Sequence, residues 1–200
     1  MRILLAGATG AVGTAVGKHL EAAGHTLVRV ARTGGDVQAD ITDDASVTAL
    51  FERVGRVDAI VSTTGALHFG PLSQTTAAQF NVGLQNKLLG QVRLALIGQH
   101  YVNDGGSITL TSGIVGEEPI RDGANATTVN AALEGFVRAA ACELGRGVRI
   151  NVVSPTVLTE SLEAFGPYFR GFEPAPGARV ALAYERSVSG VQTGRVYRVW

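Results

Sequence analysis

Three glycines, Gly7, Gly10 and Gly13, end the apolar run Leu4-Leu5-Ala6 and lead straight into a helix-forming stretch. Bare backbone serves a different end at each position. Gly7 makes a tight turn, Gly10 lets an anionic group approach the main chain, and Gly13 lets the new helix lie against the strand. The chemistry this supports is capture of a dinucleotide pyrophosphate by free N–H groups at the positive end of a helix, with Thr9 and Val12 completing the loop. An ordinary glycine-rich turn is the competing reading; the order strand, turn, helix, second strand favours the phosphate cradle. Arg32 and Thr33 then stand where an acidic residue would take the ribose hydroxyls of NAD. A guanidinium and a hydroxyl suit a 2′-phosphate, so the expected cofactor is NADP(H); a merely solvated Arg32 is the alternative.

Strands and helices must alternate to position these groups. The pattern predicts strands at Arg2 to Ala6, Thr26 to Val30, Val57 to Val61, Ser107 to Thr111, Val148 to Val153 and Arg195 to Val199, plus a short one at Val37-Gln38-Ala39. Helices are expected over Ala11 to Ala23, Asp43 to Val54, Asn125 to Leu144 and Gly177 to Val188. A longer helical region, Ser73 to Tyr101, should break near Asn81 to Gly83. Nearly continuous apolar strands separated by helices imply one α/β domain over residues 1–200, a doubly wound parallel sheet (Rossmann fold) with helices on both faces. The 17 basic and 17 acidic residues cancel and form no basic stripe, which argues against nucleic acid or an anionic membrane as partner. No apolar run is long enough to span a bilayer, and the N-terminal one reads as a strand rather than a leader. The single cysteine, Cys142, reads as a small core residue of a reducing, cytoplasmic compartment. No metal site is expected.

Further features extend the pattern: Ala39-Asp40-Ile41-Thr42, Ser62-Thr63-Thr64-Gly65-Ala66, Thr111-Ser112-Gly113, Asn151-Val152-Val153-Ser154-Pro155 and Thr193-Gly194. With the glycine motif and Arg32, in this order, the chain resembles the short-chain dehydrogenase/reductase family over essentially its whole length. The resemblance implies that Asp40 and Ile41 flank the adenine and that Thr63, Thr64 and Gly65 line the adenosine ribose and the approach to the nicotinamide. It also implies that Pro155 and Thr159 meet the nicotinamide half. Asp40 is equally readable as a neighbour of a helix N-cap. Two long helices, Gln79 to Tyr101 and Asn125 to Leu144, would pack on a second subunit, giving a homodimer or homotetramer; a core-facing stripe would look the same.

The chain departs from the family at the reaction centre. Its catalytic tyrosine, and the lysine four residues later, align with Ala126 and Asn130, so the Tyr-x-x-x-Lys pair is missing and only Ser112 matches the family serine. Lys87, in Lys87-Leu88-Leu89-Gly90, takes the place of a family asparagine. Ser112, Lys87 and Asn130 are therefore the candidate catalytic residues. Lys87 could act as an acid or base, hold the cofactor ribose, or simply snorkel over apolar neighbours. Ser112 could equally satisfy nearby backbone. The segment Glu160 to Glu173 is shorter than a usual family lid, which predicts a shallow pocket unless a partner completes it. Three functions fit: an NADPH-dependent reductase of a small carbonyl or imine; a non-redox nucleotide-binding sensor, scaffold or regulatory protein; and an isomerase or cyclase.

Overall fold

A computed structural model describes residues 1–200. Its sheet has seven parallel strands: β1 (Arg2–Ala6), β2 (Thr26–Ala31), β3 (Val37–Gln38), β4 (Val57–Ser62), β5 (Val102–Thr111), β6 (Arg149–Pro155) and β7 (Val196–Val199). Their order is β3-β2-β1-β4-β5-β6-β7, the doubly wound arrangement expected. Alternate residues of each strand face opposite sides of the sheet. Leu4 and Ala6 of β1 join the core that packs under α2 (Asp44–Val54), α4 (Gly90–Gly98) and α5 (Ala124–Glu143). Ile3 and Leu5 join the core under α1 (Ala11–Ala22) and α7 (Gly177–Ser189). Both faces are thus dry, as an all-parallel sheet requires. The chain leaves β1 toward β2 on one side and resumes at β4 on the other, so a crevice opens at the carboxyl ends of β1 and β4.

Several boundaries differ from the expectation. The anticipated break at Asn81 to Gly83 is absent. A capping box between Thr76 and Gln79 starts α3 (Ala77–Gly83), which runs on through a π turn, Leu84–Leu89, into α4. Gly83 does not break the helix but allows a close crossing, since a Cβ there would fall 2.2 Å from Asn125 Oδ1. Strand β5 begins earlier than predicted, at Val102, and its register against β4 shifts between Val57 and Ala59. Cys142 is exposed on α5, not in the core, because it lies on the solvent side of that helix with Ala131, Gly135 and Arg138. The remaining helix, α6 (Leu162–Phe165), lies in the short lid segment.

Candidate functional site

Two adjoining cavities fill the crevice. The first, about 310 Å³, is bounded by Gly7, Thr9 and Gly10 of the glycine turn, by Arg32, and by Asp40 and Ile41. The second, about 460 Å³, holds Val12, Lys87, Ser112, Gly113, Asn130 and Pro155, with Phe69, Phe165 and Phe169 closing it from the lid side. Thr63, Thr64, Gly65 and Ala66 line both, so the two form one bent groove sharing a wall.

The glycines earn their places differently. Gly7 sits at φ +82°, and a Cβ on it would lie 2.8 Å from Thr63 Oγ1. Thr63 clamps this turn by donating its hydroxyl to the carbonyls of Ala6 and Gly7, at 3.0 and 3.2 Å. At Gly13 a Cβ would fall 2.1 Å from the Gly7 carbonyl oxygen, so this residue serves helix packing and lies behind the cavity wall. Gly10 has no such neighbour: the nearest atom to its would-be Cβ is 3.5 Å away. Packing does not demand glycine there, whereas a ligand approaching the backbone would. Gly10 is also the N-cap of α1, which has neither a side-chain cap nor an acidic residue in its first turn. Its first N–H groups are left for an anion. These features fit a dinucleotide pyrophosphate.

Arg32 is exposed at the rim of the first cavity. Asp40 accepts from the Thr42 N–H and O–H, at 2.9 and 2.7 Å, and these bonds, aided by the charge of Arg32, hold its carboxyl below the usual range. Thr33 is exposed outside the lining. Thr159 is likewise exposed at the head of a short 3-10 turn, its N–H given to the Ala175 carbonyl, while Leu158 and Ser161 occupy the wall instead.

In the second cavity Lys87 rides on the π turn, a helix irregularity that places its stem across Gly65. A Cβ on Gly65, which sits at φ +130°, would meet Lys87 Cβ at 2.4 Å. The ammonium donates to the Ser112 carbonyl at 3.0 Å, and desolvation lowers its pKa to about 8. The Ser112 hydroxyl is turned away to Glu134 Oε1, 3.0 Å distant. Glu134, only 4% exposed, is raised in pKa chiefly by burial, and the bond from Ser112 opposes that rise. Sequence reasoning missed Glu134, which lies 22 residues from its partner with no motif linking them. Asn130 donates Nδ2 to the Ala126 carbonyl at 2.8 Å, but its Oδ1 is buried without a partner, as is Thr156 Oγ1 on the same cavity. Ala126 is fully buried among Ile114 and Val115. Gly113 faces the Asn130 amide: a Cβ there would lie 3.7 Å from both of its polar atoms. The fully buried Tyr184 bonds to Thr111 Oγ1 at 2.6 Å beneath the sheet and lines neither cavity.

The sheet order and the crevice at its switch point define a Rossmann-like α/β protein. A family profile described as enoyl-(acyl carrier protein) reductase matches residues 6–192. The chain belongs to the short-chain dehydrogenase/reductase family, whose members use NAD(P)(H), act on small molecules and are typically oligomeric. It is similar to the crystal structure of lin1944 from Listeria innocua, at 48% identity and TM-score 0.98 over the whole of both chains. A small-chain dehydrogenase solved in complex with NADPH is 26% identical, with TM-score 0.88 over 100% of this chain and 96% of that one. The 3-oxoacyl-(acyl carrier protein) reductase MabA of Mycobacterium tuberculosis is 28% identical over 178 residues, 80% of this chain and 72% of MabA. Hydroxynaphthalene reductase arp2 of Aspergillus fumigatus is 30% identical over 131 residues, 63% of this chain. The chain spans about half (48%) of the length of arp2. No helix is long and apolar enough to cross a membrane.

Proposed function

We propose that the protein is an NADPH-dependent reductase of a small carbonyl or imine, working without the Tyr-x-x-x-Lys pair. The observation that carries this reading is the bent groove, in which one shared wall joins a cavity rimmed by Arg32 to one holding the Lys87 amine. Gly7, Thr9, Gly10 and the free N–H groups of α1 would hold the pyrophosphate, with Gly13 and Thr63 keeping the turn in shape. Arg32 would pair with the 2′-phosphate, Asp40 and Ile41 would border the adenine, and Thr64, Gly65, Val12 and Pro155 would flank the nicotinamide half. When bound, the nicotinamide supplies the hydride.

The chain's own part is to orient the acceptor and manage its proton. Lys87 has the hydrogen-bonding reach of an ammonium and, with its pKa lowered to about 8, gives up a proton more readily than an exposed lysine. It can donate to the oxygen or nitrogen on which negative charge develops. Asn130 Oδ1 and Thr156 Oγ1, buried and unpartnered, are available to a ribose or substrate hydroxyl. Ser112 acts through its carbonyl, which holds the Lys87 amine in place, because its hydroxyl is committed to Glu134. The test is NADPH consumption with a panel of small aldehydes, ketones and imines. Turnover should fall at least about 100-fold in Lys87→Met with nucleotide affinity kept; unchanged turnover removes Lys87 from the chemistry.

The engaged Ser112 hydroxyl and the sealed Ala126 also favour a second reading, a nucleotide-binding protein without redox activity. NADPH binding with no turnover on any substrate would select it. An apolar groove between α4 and α5, where Leu96 is 51% exposed beside Phe136 and Leu144, supports assembly as a homodimer or homotetramer, which sedimentation would measure.

A further inference from the structure

We propose that Lys87 is also a covalent nucleophile, whose amine condenses reversibly with small uncharged aldehydes or ketones in the second cavity to form a protein-bound iminium. The inference stands apart from the nucleotide reading, since it requires only the cavity and the amine.

Three observations carry it. First, the amine is placed rather than floating: the π turn carries it, the absence of a side chain on Gly65 lets its stem pass, and one hydrogen bond to the Ser112 carbonyl holds Nζ. That bond uses one N–H and leaves the rest of the nitrogen for a ligand. Second, the amine has no charge partner. No carboxylate lines the cavity, and the carboxylate on the neighbouring helix, Glu134, accepts instead from the Ser112 hydroxyl. A desolvated, unpaired amine favours its neutral, nucleophilic form, as the pKa of about 8 reflects. Third, the cavity has room for a small carbonyl compound and buries two polar atoms without partners, Asn130 Oδ1 and Thr156 Oγ1. These can take the hydroxyl of the carbinolamine and the water it releases. The substrate is uncharged because Lys87 is the one cationic side chain on the wall, leaving none to pair with a carboxylate or phosphate.

The step balances without an outside reactant. The ammonium sheds a proton, and the nitrogen lone pair attacks the carbonyl carbon as the C=O π pair moves to oxygen. That oxygen collects two protons originating on the nitrogen and departs as water. Ammonium and carbonyl thus give iminium and water, with the positive charge conserved.

Reductive trapping tests this directly. The native protein, without nucleotide, is incubated with butanone or benzaldehyde and cyanoborohydride, which converts any iminium to a stable secondary amine. The chain has two lysines, Lys87 and the exposed Lys18, so adducts are assigned simply. Alkylation of Lys87 also blocks tryptic cleavage between residues 87 and 88. Lys87 is expected to label at least about tenfold faster than Lys18 in the native protein, and at a similar rate in urea. Equal native rates, or label confined to Lys18 and the amino terminus, would overturn the inference. NADPH affinity is measured in parallel: binding without trapping at Lys87 overturns this inference alone, whereas trapping without binding supports it and overturns the cofactor reading.

Discussion

Replacing Lys87 with methionine should make the fold more stable at neutral pH while removing its chemistry. Methionine keeps the length and apolar stem that cross Gly65 but carries no charge. The fall of the lysine pKa from its usual 10.5 to about 8 corresponds to a penalty of at most about 3 kcal/mol on burying the charged form. Water in the open cavity offsets part of this, and losing the bond to the Ser112 carbonyl costs about 1 kcal/mol. A net gain of about 1 kcal/mol at pH 7 remains, or roughly 2–4 °C in Tm for a chain of this size. The pH dependence identifies the cause. Between pH 8 and 10.5 the unfolded chain still holds the Lys87 proton that the folded chain has released, so wild-type stability rises with pH in that window. The variant lacks this rise. Its advantage should be fullest below pH 8, vanish within the window and give way above pH 10.5 to a deficit of about 1 kcal/mol, the lost hydrogen bond. Urea unfolding followed by circular dichroism at several pH values measures it. A variant less stable than wild type at pH 7, or an advantage independent of pH, would refute the desolvated-ammonium account.

The glycine turn offers a paired test: Gly13→Ala, whose Cβ would fall 2.1 Å from the Gly7 carbonyl, should lose about 2 kcal/mol or more in denaturant melts. Gly10→Ala, whose Cβ would sit in ordinary contact 3.5 Å from the Gly7 carbonyl oxygen, should melt like wild type yet bind NADPH at least about tenfold more weakly. Glu134→Gln retains an acceptor for Ser112 without the buried charge and should match or exceed wild-type stability at pH 7. Glu134→Leu strands the serine hydroxyl and should cost about 1–3 kcal/mol by the same melts. Ala126→Tyr with Asn130→Lys should raise reductase turnover with NADPH, at about 1–3 kcal/mol of overpacking against Ile114 and Val115.

The fold was legible because its signals are local. Apolar strands, the Gly7-Gly10-Gly13 turn and intervening helical stretches dictate a parallel sheet with its crevice above β1 and β4, and Arg32 follows from its place after β2. The site was legible only by position along the chain. Side-chain direction depends on packing between distant segments, which explains why Ser112, at the expected strand end, gives its hydroxyl to Glu134. Thr159 and Thr33 fell where anticipated in sequence yet outside the cavity walls, because Thr159 heads an exposed 3-10 turn and Thr33 lies in the exposed loop after β2. The π turn around Lys87 has no sequence signature: Gly83 reads as a helix breaker until the close crossing by Asn125 is known. Cys142 was misplaced because an alanine-rich helix shows little contrast between its buried and exposed faces.

The cofactor reading is tested most directly by titrating the purified protein with NADPH and NADH, repeated with Arg32→Ala. The account predicts micromolar or tighter binding of NADPH, weaker binding of NADH, and loss of that preference by about tenfold or more in the variant. Equal affinity for both nucleotides in wild type and variant would contradict the role given to Arg32, and binding of neither would contradict the reading of the groove.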